Sequence, residues 1–217
     1  MKRVGLIRVL TTENEELLKA HGKMIMKYFP GLEVLSACIS DQPEGVHDDA
    51  TEALAVPKVQ ELGLIMERDG VEAVIVSCAG DPGVESLADT LKIPVIGAGR
   101  SVASVGRALE RPVGVLGLTH IVPSAIRRIL GDFLVADAVP EGVNSTLDLM
   151  TERGMKAVLE TGQSLVSRGA RALILACTGL STIGAAAKLR EALKIPVVDP
   201  VQAEGAITWL ALGGNAE

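Results

Sequence analysis

Short runs of apolar, often β-branched residues alternate along the chain with longer segments in which apolar residues recur at helical spacing. This alternation is typical of parallel β-strands joined by crossover helices. The predicted strands are residues 4–10, 33–38, 73–78, 94–97, 113–118, 134–138, 172–177 and 196–198. The predicted helices are residues 13–28, 50–68, 101–109, 123–130, 146–167, 181–193 and 201–212. The pattern therefore predicts an α/β fold throughout.

The order of these elements repeats once along the chain. The segment GVEAVIVSCAG at 70–80 is matched by GARALILACTG at 169–179. Each segment is followed by a predicted helix and then by the same four residues, KIPV, at 92–95 and at 194–197. Self-similarity of this kind indicates an internal duplication.

A weaker match, between RVGLI at 3–7 and PVGVL at 112–116, marks the start of each repeat. We therefore expect two similar parallel-sheet lobes related by a pseudo-twofold axis. The first lobe is predicted to contain residues 1–97 together with the C-terminal segment 200–217. The second is predicted to contain residues 98–199, and the cleft between the lobes is the expected site.

Composition restricts the function classes. Of the 217 residues, 48% are hydrophobic and 22% charged, which is typical of a folded globular protein. A net charge of −6, with one Trp and one Tyr, argues against nucleic acid as a partner. The apolar runs are too short to span a membrane, and the N-terminus leads directly into a predicted strand instead of a secretory signal. We expect a cytoplasmic protein that acts on a small molecule.

The cysteines stand out because two of them occupy equivalent places in the repeat. Cys78 and Cys177 each end a predicted strand, at the sheet edge where parallel sheets bind ligands. The spacing of the three cysteines gives neither a disulfide framework nor a zinc site, so we expect thiols and no metal. Cys38 ends a strand without a following glycine turn and is assigned to core packing.

Each of the paired cysteines is followed by small residues and an expected helix start. The backbone N–H groups of Ala79, Gly80, Thr178 and Gly179 would then face an anion or an enolate and favour the thiolate form of the cysteine. Two thiols on opposite faces of one carbon can remove a proton from one side and deliver a proton to the other. The structural alternative is that a strand-ending cysteine is simply a small buried apolar side chain.

Four segments carry a resemblance to a known family: SCAGDPG at 77–83, IPVIG at 93–97, ACTG at 176–179 and IPVVDP at 195–200. They resemble the aspartate/glutamate racemase superfamily, over essentially the whole chain, and within it the hydantoin racemases. The resemblance implies that Cys78 and Cys177 form an acid/base pair and that no cofactor is needed. It further implies a homo-oligomer that acts on 5-substituted hydantoins or related compounds.

Individual motifs differ among branches of that superfamily. The sequence Asp-Pro-Gly at 81–83 is similar to the hydantoin and allantoin branch, whereas amino-acid racemases tend to carry Asn-Thr there. Many relatives have an Asn near the end of the first strand, where this chain reads IRVLTT at 7–12. Arg8 is therefore predicted either to bind a substrate carboxylate or to hold two loops together. Thr119 is expected to line the pocket, and no catalytic partner is identified for His120.

The remaining polar candidates have structural explanations. His21, on a predicted helix, and His47, in a polar loop, are both interpreted as surface residues. Asn144 and Ser145 precede a long predicted helix and would either cap it or cover the cleft.

Other functions are weighed against this hypothesis. A pyridoxal phosphate racemase would need a Schiff-base lysine beside a phosphate site, and the lysines fall in helices, turns or before the Ile-Pro strands. An Asp/Glu racemase or a maleate-isomerase-like enzyme of the same superfamily is an alternative. A non-catalytic α/β protein that binds a small ligand is an alternative from a different class.

Overall fold

The chain forms alternating strands and helices, as its hydrophobic pattern predicts. The computed structural model describes residues 1–143, 146–149 and 151–214. In chain order the elements are β1 (Lys2–Arg8), α1 (Glu15–Tyr28), β2 (Leu32–Cys38), α2 (Asp49–Arg68), β3 (Ala73–Val76), α3 (Val84–Thr90), β4 (Val95–Gly97), α4 (Ala98–Ala108), β5 (Val113–Leu116), α5 (Ser124–Leu130), β6 (Leu134–Ala138), α6 (Thr146–Leu149), α7 (Glu152–Ser167), β7 (Ala172–Leu175), α8 (Thr178–Thr182), α9 (Ala185–Leu193), β8 (Val197–Val198) and α10 (Pro200–Ala211). The predicted α/β class is confirmed.

The strands form two parallel sheets with the same wiring. Strand order is β2-β1-β3-β4 in the first sheet and β6-β5-β7-β8 in the second. In the first sheet, β2 pairs on one side of β1 and β3 pairs on the other, which places a switch point between β1 and β3. The second sheet has the same switch point between β5 and β7. Ligands of parallel α/β sheets bind beyond the strand ends at such a switch point.

The chain divides into two compact units, and each contains one sheet. The first unit contains Met1–Ala98 and Glu204–Glu217, and the second contains Gly99–Ala203. In the first unit, α2 and α3 pack an apolar cluster against one sheet face. From Glu204 onward, α10 contacts α1, with the Phe29 and Trp209 rings 6.4 Å apart. A second apolar cluster fills the other unit.

Two predicted helices are each interrupted. The helix predicted over 146–167 is α6 and α7, because Thr151 accepts a hydrogen bond from the Gly154 N–H and begins a new helix. The helix predicted over 181–193 is α8 and α9, because Gly184, at φ 68°, has a left-handed conformation that ends the first of them. Neither a cap nor a glycine disturbs the apolar periodicity, so the hydrophobic pattern alone did not reveal either break.

Across the described ranges, none of the helices has the length and apolarity needed to cross a bilayer.

The glycines at equivalent places in β1 and β5 differ in what surrounds them. A Cβ at Gly5 would meet Met66, with Sδ at 2.5 Å, whereas a Cβ at Gly114 would meet Ala170 Cβ at 2.9 Å and Leu173 at 2.8 Å. The end of the Met66 side chain can move, but Ala170 Cβ is fixed to the backbone.

We therefore expect Gly114→Ala to lower the free energy of unfolding by about 1–3 kcal/mol, and Gly5→Ala to lower it by less than half as much. Urea unfolding of the two variants beside the wild type measures the difference. An equal loss in both variants would contradict this packing argument.

Candidate functional site

Both paired cysteines leave their sheets at the same point of the hydrogen-bond ladder. The Ser77 N–H donates to the Ile7 carbonyl at 2.9 Å, and the Ala176 N–H donates to the Leu116 carbonyl at 2.8 Å. These are the last ladder bonds of β3 to β1 and of β7 to β5. Each cysteine is therefore the first residue beyond the ladder, at the switch point of its own sheet.

A tight turn follows Cys78. The Asp81 N–H donates to the Cys78 carbonyl at 3.0 Å, which leaves the central amides of Ala79 and Gly80 outside the closing bond. Asp81 has φ 55°. The next helix, α3, begins at Val84 with Gly83 as its N-cap, so the expected helix start is present, but it lies beyond the turn. The backbone of the turn lies next to Cys78, and the helix terminus does not.

The same turn follows Cys177, but here it enters a helix directly. The Leu180 N–H donates to the Cys177 carbonyl at 3.2 Å, with Thr178 and Gly179 at the centre. Cys177 is the N-cap of α8, with φ −156° and ψ 126°. The expected helix start is confirmed for this cysteine. Its neighbouring amides are those of a first helical turn, which point away from the helix and favour negative charge.

All three cysteines lie in the described part of the chain, and each is a partly exposed thiol that forms no disulfide. Cys78 packs at the margin of the apolar cluster of the first unit, and Cys177 at that of the second. Neither residue is fully buried. Cys38 pairs with Arg8 at the end of β2, and its thiol faces the Thr12 carbonyl at 3.8 Å.

Each turn is also held to the last strand of its own sheet. Asp81 is buried, and its carboxylate lies so close to Gly97 that a Cβ there would overlap it. In the second unit, the buried Ser181 hydroxyl donates to Asp199 at 2.8 Å. Different side chains therefore lie between the turn and the last strand in the two units.

Asp199 is a buried acceptor for several donors. Besides Ser181, the N–H groups of Val201 and Gln202 donate to the same carboxylate oxygen, at 2.9 and 3.1 Å. Burial raises the pKa of the Asp199 carboxyl above its ordinary value, and these hydrogen bonds oppose the shift.

Arg8 and Thr119, the side chains predicted to contact substrate, both make internal contacts. Arg8 is 4% exposed, and its Nη1 donates to the Leu17 carbonyl of α1. The Thr119 hydroxyl donates to the Ile121 carbonyl at 2.9 Å. Thr119 also lines a small pocket of about 10 Å³ that includes Ala176, the residue before Cys177. His120 is exposed.

The surface assignment is confirmed for His47 but wrong for His21. His47 is exposed, whereas His21 is 0% exposed, with Nδ1 2.8 Å from the Ser77 hydroxyl. Ser77 in turn donates to the buried Glu204 at 2.6 Å. The position of Ser77 directly before Cys78 was the available sequence signal for this group. Asn144 and Ser145 lie outside the described residues.

Within the ranges that the structure describes, no group of three His, Cys, Asp or Glu side chains is arranged to hold a metal ion.

Comparisons with known proteins give one consistent family. A family model described as Asp/Glu/Hydantoin racemase matches residues 11–205. A hydantoin racemase from Rhizobium meliloti is 27% identical over 185 residues, covering 81% of this chain and 75% of that protein. Similar folds are found in an allantoin racemase from Klebsiella pneumoniae, with TM-score 0.81, 23% identity and coverage of 98% of this chain and 89% of that one. The allantoin racemase from Pseudomonas fluorescens has TM-score 0.82, 22% identity and coverage of 99% and 93%.

The contact between Asp81 and Gly97 predicts coupled effects on stability. We expect Gly97→Ala to lower the free energy of unfolding by about 1–3 kcal/mol, because the Asp81 carboxylate must move. In an Asp81→Ala background the same substitution should cost clearly less. Urea unfolding of the two single variants, the double variant and the wild type measures the coupling. Strictly additive losses would show that the Asp81 carboxylate does not limit the space at Gly97.

The raised pKa of Asp199 predicts a pH signature. The folded carboxyl binds its proton more tightly than the unfolded one, so the wild type loses stability as pH rises from the ordinary carboxyl pKa through the raised one. Asp199→Asn keeps an acceptor oxygen and has no such titration. The free energy of unfolding of the wild type minus that of Asp199→Asn should therefore fall as pH rises from the ordinary carboxyl pKa of about 4 upward. A difference that grows with pH would mean that the hydrogen bonds outweigh burial.

Proposed function

The chain belongs to the Asp/Glu/hydantoin racemase family, and on that premise we propose that Cys78 and Cys177 are the acid/base pair of a cofactor-independent racemase or epimerase. The family and the isomerase class expected from the sequence are confirmed by the family match and the named relatives. The roles of the two thiols and the identity of the substrate are the proposal.

The observation that carries the proposal is the equivalence of the two cysteines. Each follows the last ladder bond of the third strand of its own sheet, and each begins a turn closed by its own carbonyl. Val or Ala would fill the space at both positions equally well, so packing alone does not explain a cysteine in each. Both thiols are partly exposed, as a group that must meet a substrate requires.

In the proposed reaction, one cysteine acts as a thiolate and the other as a thiol. The thiolate takes the proton from the stereogenic carbon, and the electron pair of the broken C–H bond moves onto the adjacent carbonyl to form an enolate. The second thiol then gives its proton to the opposite face of the same carbon. The first cysteine ends as a thiol and the second as a thiolate, so the next turnover can run in reverse.

The turn amides supply the stabilisation that the enolate needs. Ala79 and Gly80 follow one thiol and Thr178 and Gly179 the other, so each sulfur has backbone N–H groups within its own turn. Fixed donors of this kind stabilise charge that develops on a carbonyl oxygen and lower the pKa of a neighbouring thiol. Thr119 and Arg8 are proposed to line the substrate site at the ends of the strands.

We propose 5-substituted hydantoins or closely related ring compounds as the substrate class. The carbanion at the ring carbon is shared with a ring carbonyl, so a thiolate of modest basicity can remove the proton. The sequence Asp-Pro-Gly at 81–83 supports this branch, as does the similarity to a protein named hydantoin racemase. Action in the cytoplasm as a homo-oligomer stays a prediction.

Single substitutions of the cysteines test the pair. We expect Cys78→Ser and Cys177→Ser each to lower racemisation at least about 100-fold, because a positioned acid or base contributes about that much or more. Cys38→Ser, the matched control, should keep wild-type activity. Polarimetry over hydantoins, allantoin, aspartate and glutamate measures the rate and identifies the substrate together.

Deuterium exchange in heavy water sharpens this test. The wild type should introduce deuterium into both enantiomers of its substrate. Each single variant keeps one thiol, so it should exchange only the enantiomer whose proton faces that thiol, and the two variants should prefer opposite enantiomers. Full racemisation by either variant would overturn the two-thiol proposal.

A further inference from the structure

A buried chain of hydrogen bonds lies directly behind Cys78 in the first unit. His21 Nδ1, on α1, is 2.8 Å from the Ser77 hydroxyl, and that hydroxyl is 2.6 Å from Glu204 Oε1 on α10. His21 and Glu204 are 0% exposed and Ser77 is 2% exposed. Three elements that are distant in sequence therefore meet at the residue that precedes the thiol.

The donor and acceptor of each of these hydrogen bonds follow from the number of hydrogens on the three side chains. A serine hydroxyl has one hydrogen, and Ser77 donates it to the Glu204 carboxylate. The lone pairs of the Ser77 oxygen then accept from His21, whose Nδ1 must carry a proton. The order is His21 to Ser77 to Glu204, and the two bonds together set the rotamer of Ser77.

Ser77 is held at its backbone as well as at its side chain. Its N–H makes the last ladder bond, to the Ile7 carbonyl. Successive side chains of a strand point to opposite faces, so Ser77 points toward α1 and α10, whereas Cys78 packs at the margin of the cluster on the α2 and α3 side. Fixing Ser77 from both sides therefore sets the direction in which the chain enters Cys78.

Packing alone does not require such a group. Burying a carboxylate and an imidazole is costly, and well-packed apolar side chains usually stabilise a fold at least as well. The equivalent position before Cys177 is Ala176, which has no hydroxyl, and that unit folds with the same ladder bond. The His21–Ser77–Glu204 hydrogen bonds thus lie behind Cys78 and have no counterpart at Ala176. The fold that the two units share does not depend on them.

Resting on the proposed role of Cys78, we propose that His21, Ser77 and Glu204 are positioning residues that orient the Cys78 thiol for proton transfer. Ser77 is joined to the reacting residue by the Ser77–Cys78 peptide, and His21 and Glu204 hold the Ser77 hydroxyl. Their loss should therefore slow the chemical step while leaving substrate affinity nearly unchanged.

The test compares substitutions that remove the His21–Ser77–Glu204 hydrogen bonds with a substitution that keeps them. Ser77→Ala removes the central link, and Glu204→Met removes the acceptor at similar length. Glu204→Gln keeps an acceptor oxygen. We expect the first two to lower kcat for a 5-benzylhydantoin about tenfold with KM within about twofold, and Glu204→Gln to stay within about threefold of wild type.

Thr208→Val is the matched control. Thr208 is buried on the same helix, and its hydroxyl donates to the Glu204 backbone carbonyl at 2.7 Å. The variant loses a buried hydrogen bond to the Glu204 backbone but keeps the hydrogen bonds of the His21, Ser77 and Glu204 side chains. It should lower the melting temperature as the other variants do and keep wild-type kcat, which separates positioning from stability.

A second readout does not depend on turnover. Alkylation by iodoacetamide, followed by peptide mass analysis, gives separate rates for Cys78 and Cys177 in the same molecule. A displaced Cys78 loses the amides that favour its thiolate, so Ser77→Ala and Glu204→Met should slow its alkylation several-fold and leave Cys177 unchanged. Equal changes at both thiols, or wild-type rates at Cys78, would overturn the positioning role.

The outcomes distinguish the two proposals. Full activity in Cys78→Ser would overturn the proposed function. The alkylation rates would still report whether His21, Ser77 and Glu204 orient the Cys78 thiol. If Cys78→Ser is inactive but Ser77→Ala and Glu204→Met keep wild-type kcat, the function stands and the positioning role is wrong. If Ser77→Ala does not fold, the Gln and Met pair at Glu204 still decides, because it tests the acceptor alone.

Discussion

Parallel pairing of the third strand with the first strand determines where the chain leaves each sheet. The ladder ends at the bonds of Ser77 to Ile7 and of Ala176 to Leu116, so the next residue must leave the sheet at the switch point. That residue is a cysteine in both units. The turn and the partial exposure of the cysteine both depend on this single constraint of register.

The duplication preserved backbone geometry more closely than side-chain chemistry. Both turns are closed by the cysteine carbonyl, yet one is anchored by a carboxylate packed on Gly97 and the other by Ser181 on Asp199. One thiol begins a helix, and the other is separated from its helix by the turn. Two sites that look alike at the level of the chain trace therefore differ in the groups that surround the cysteine.

Much of this arrangement was readable from sequence, because apolar periodicity and a repeated motif are local signals. They predicted all eight strands, the α/β class and the equivalent placement of Cys78 and Cys177. They failed at His21, whose burial depends on Ser77, 56 positions away, and on Glu204, a further 127 positions along the chain. A polar residue on a helix looks like a surface residue until its distant partners are known.

One helix belongs to both units. Asp199 caps the start of α10 in the second unit, and from Glu204 onward the same helix joins the first unit, with Trp209 packed near Phe29. The first unit is therefore completed by residues that follow the second unit along the chain. Residues 1–98 taken alone would therefore lack the segment that packs near Phe29, so the first unit needs a part of the chain that follows the whole of the second.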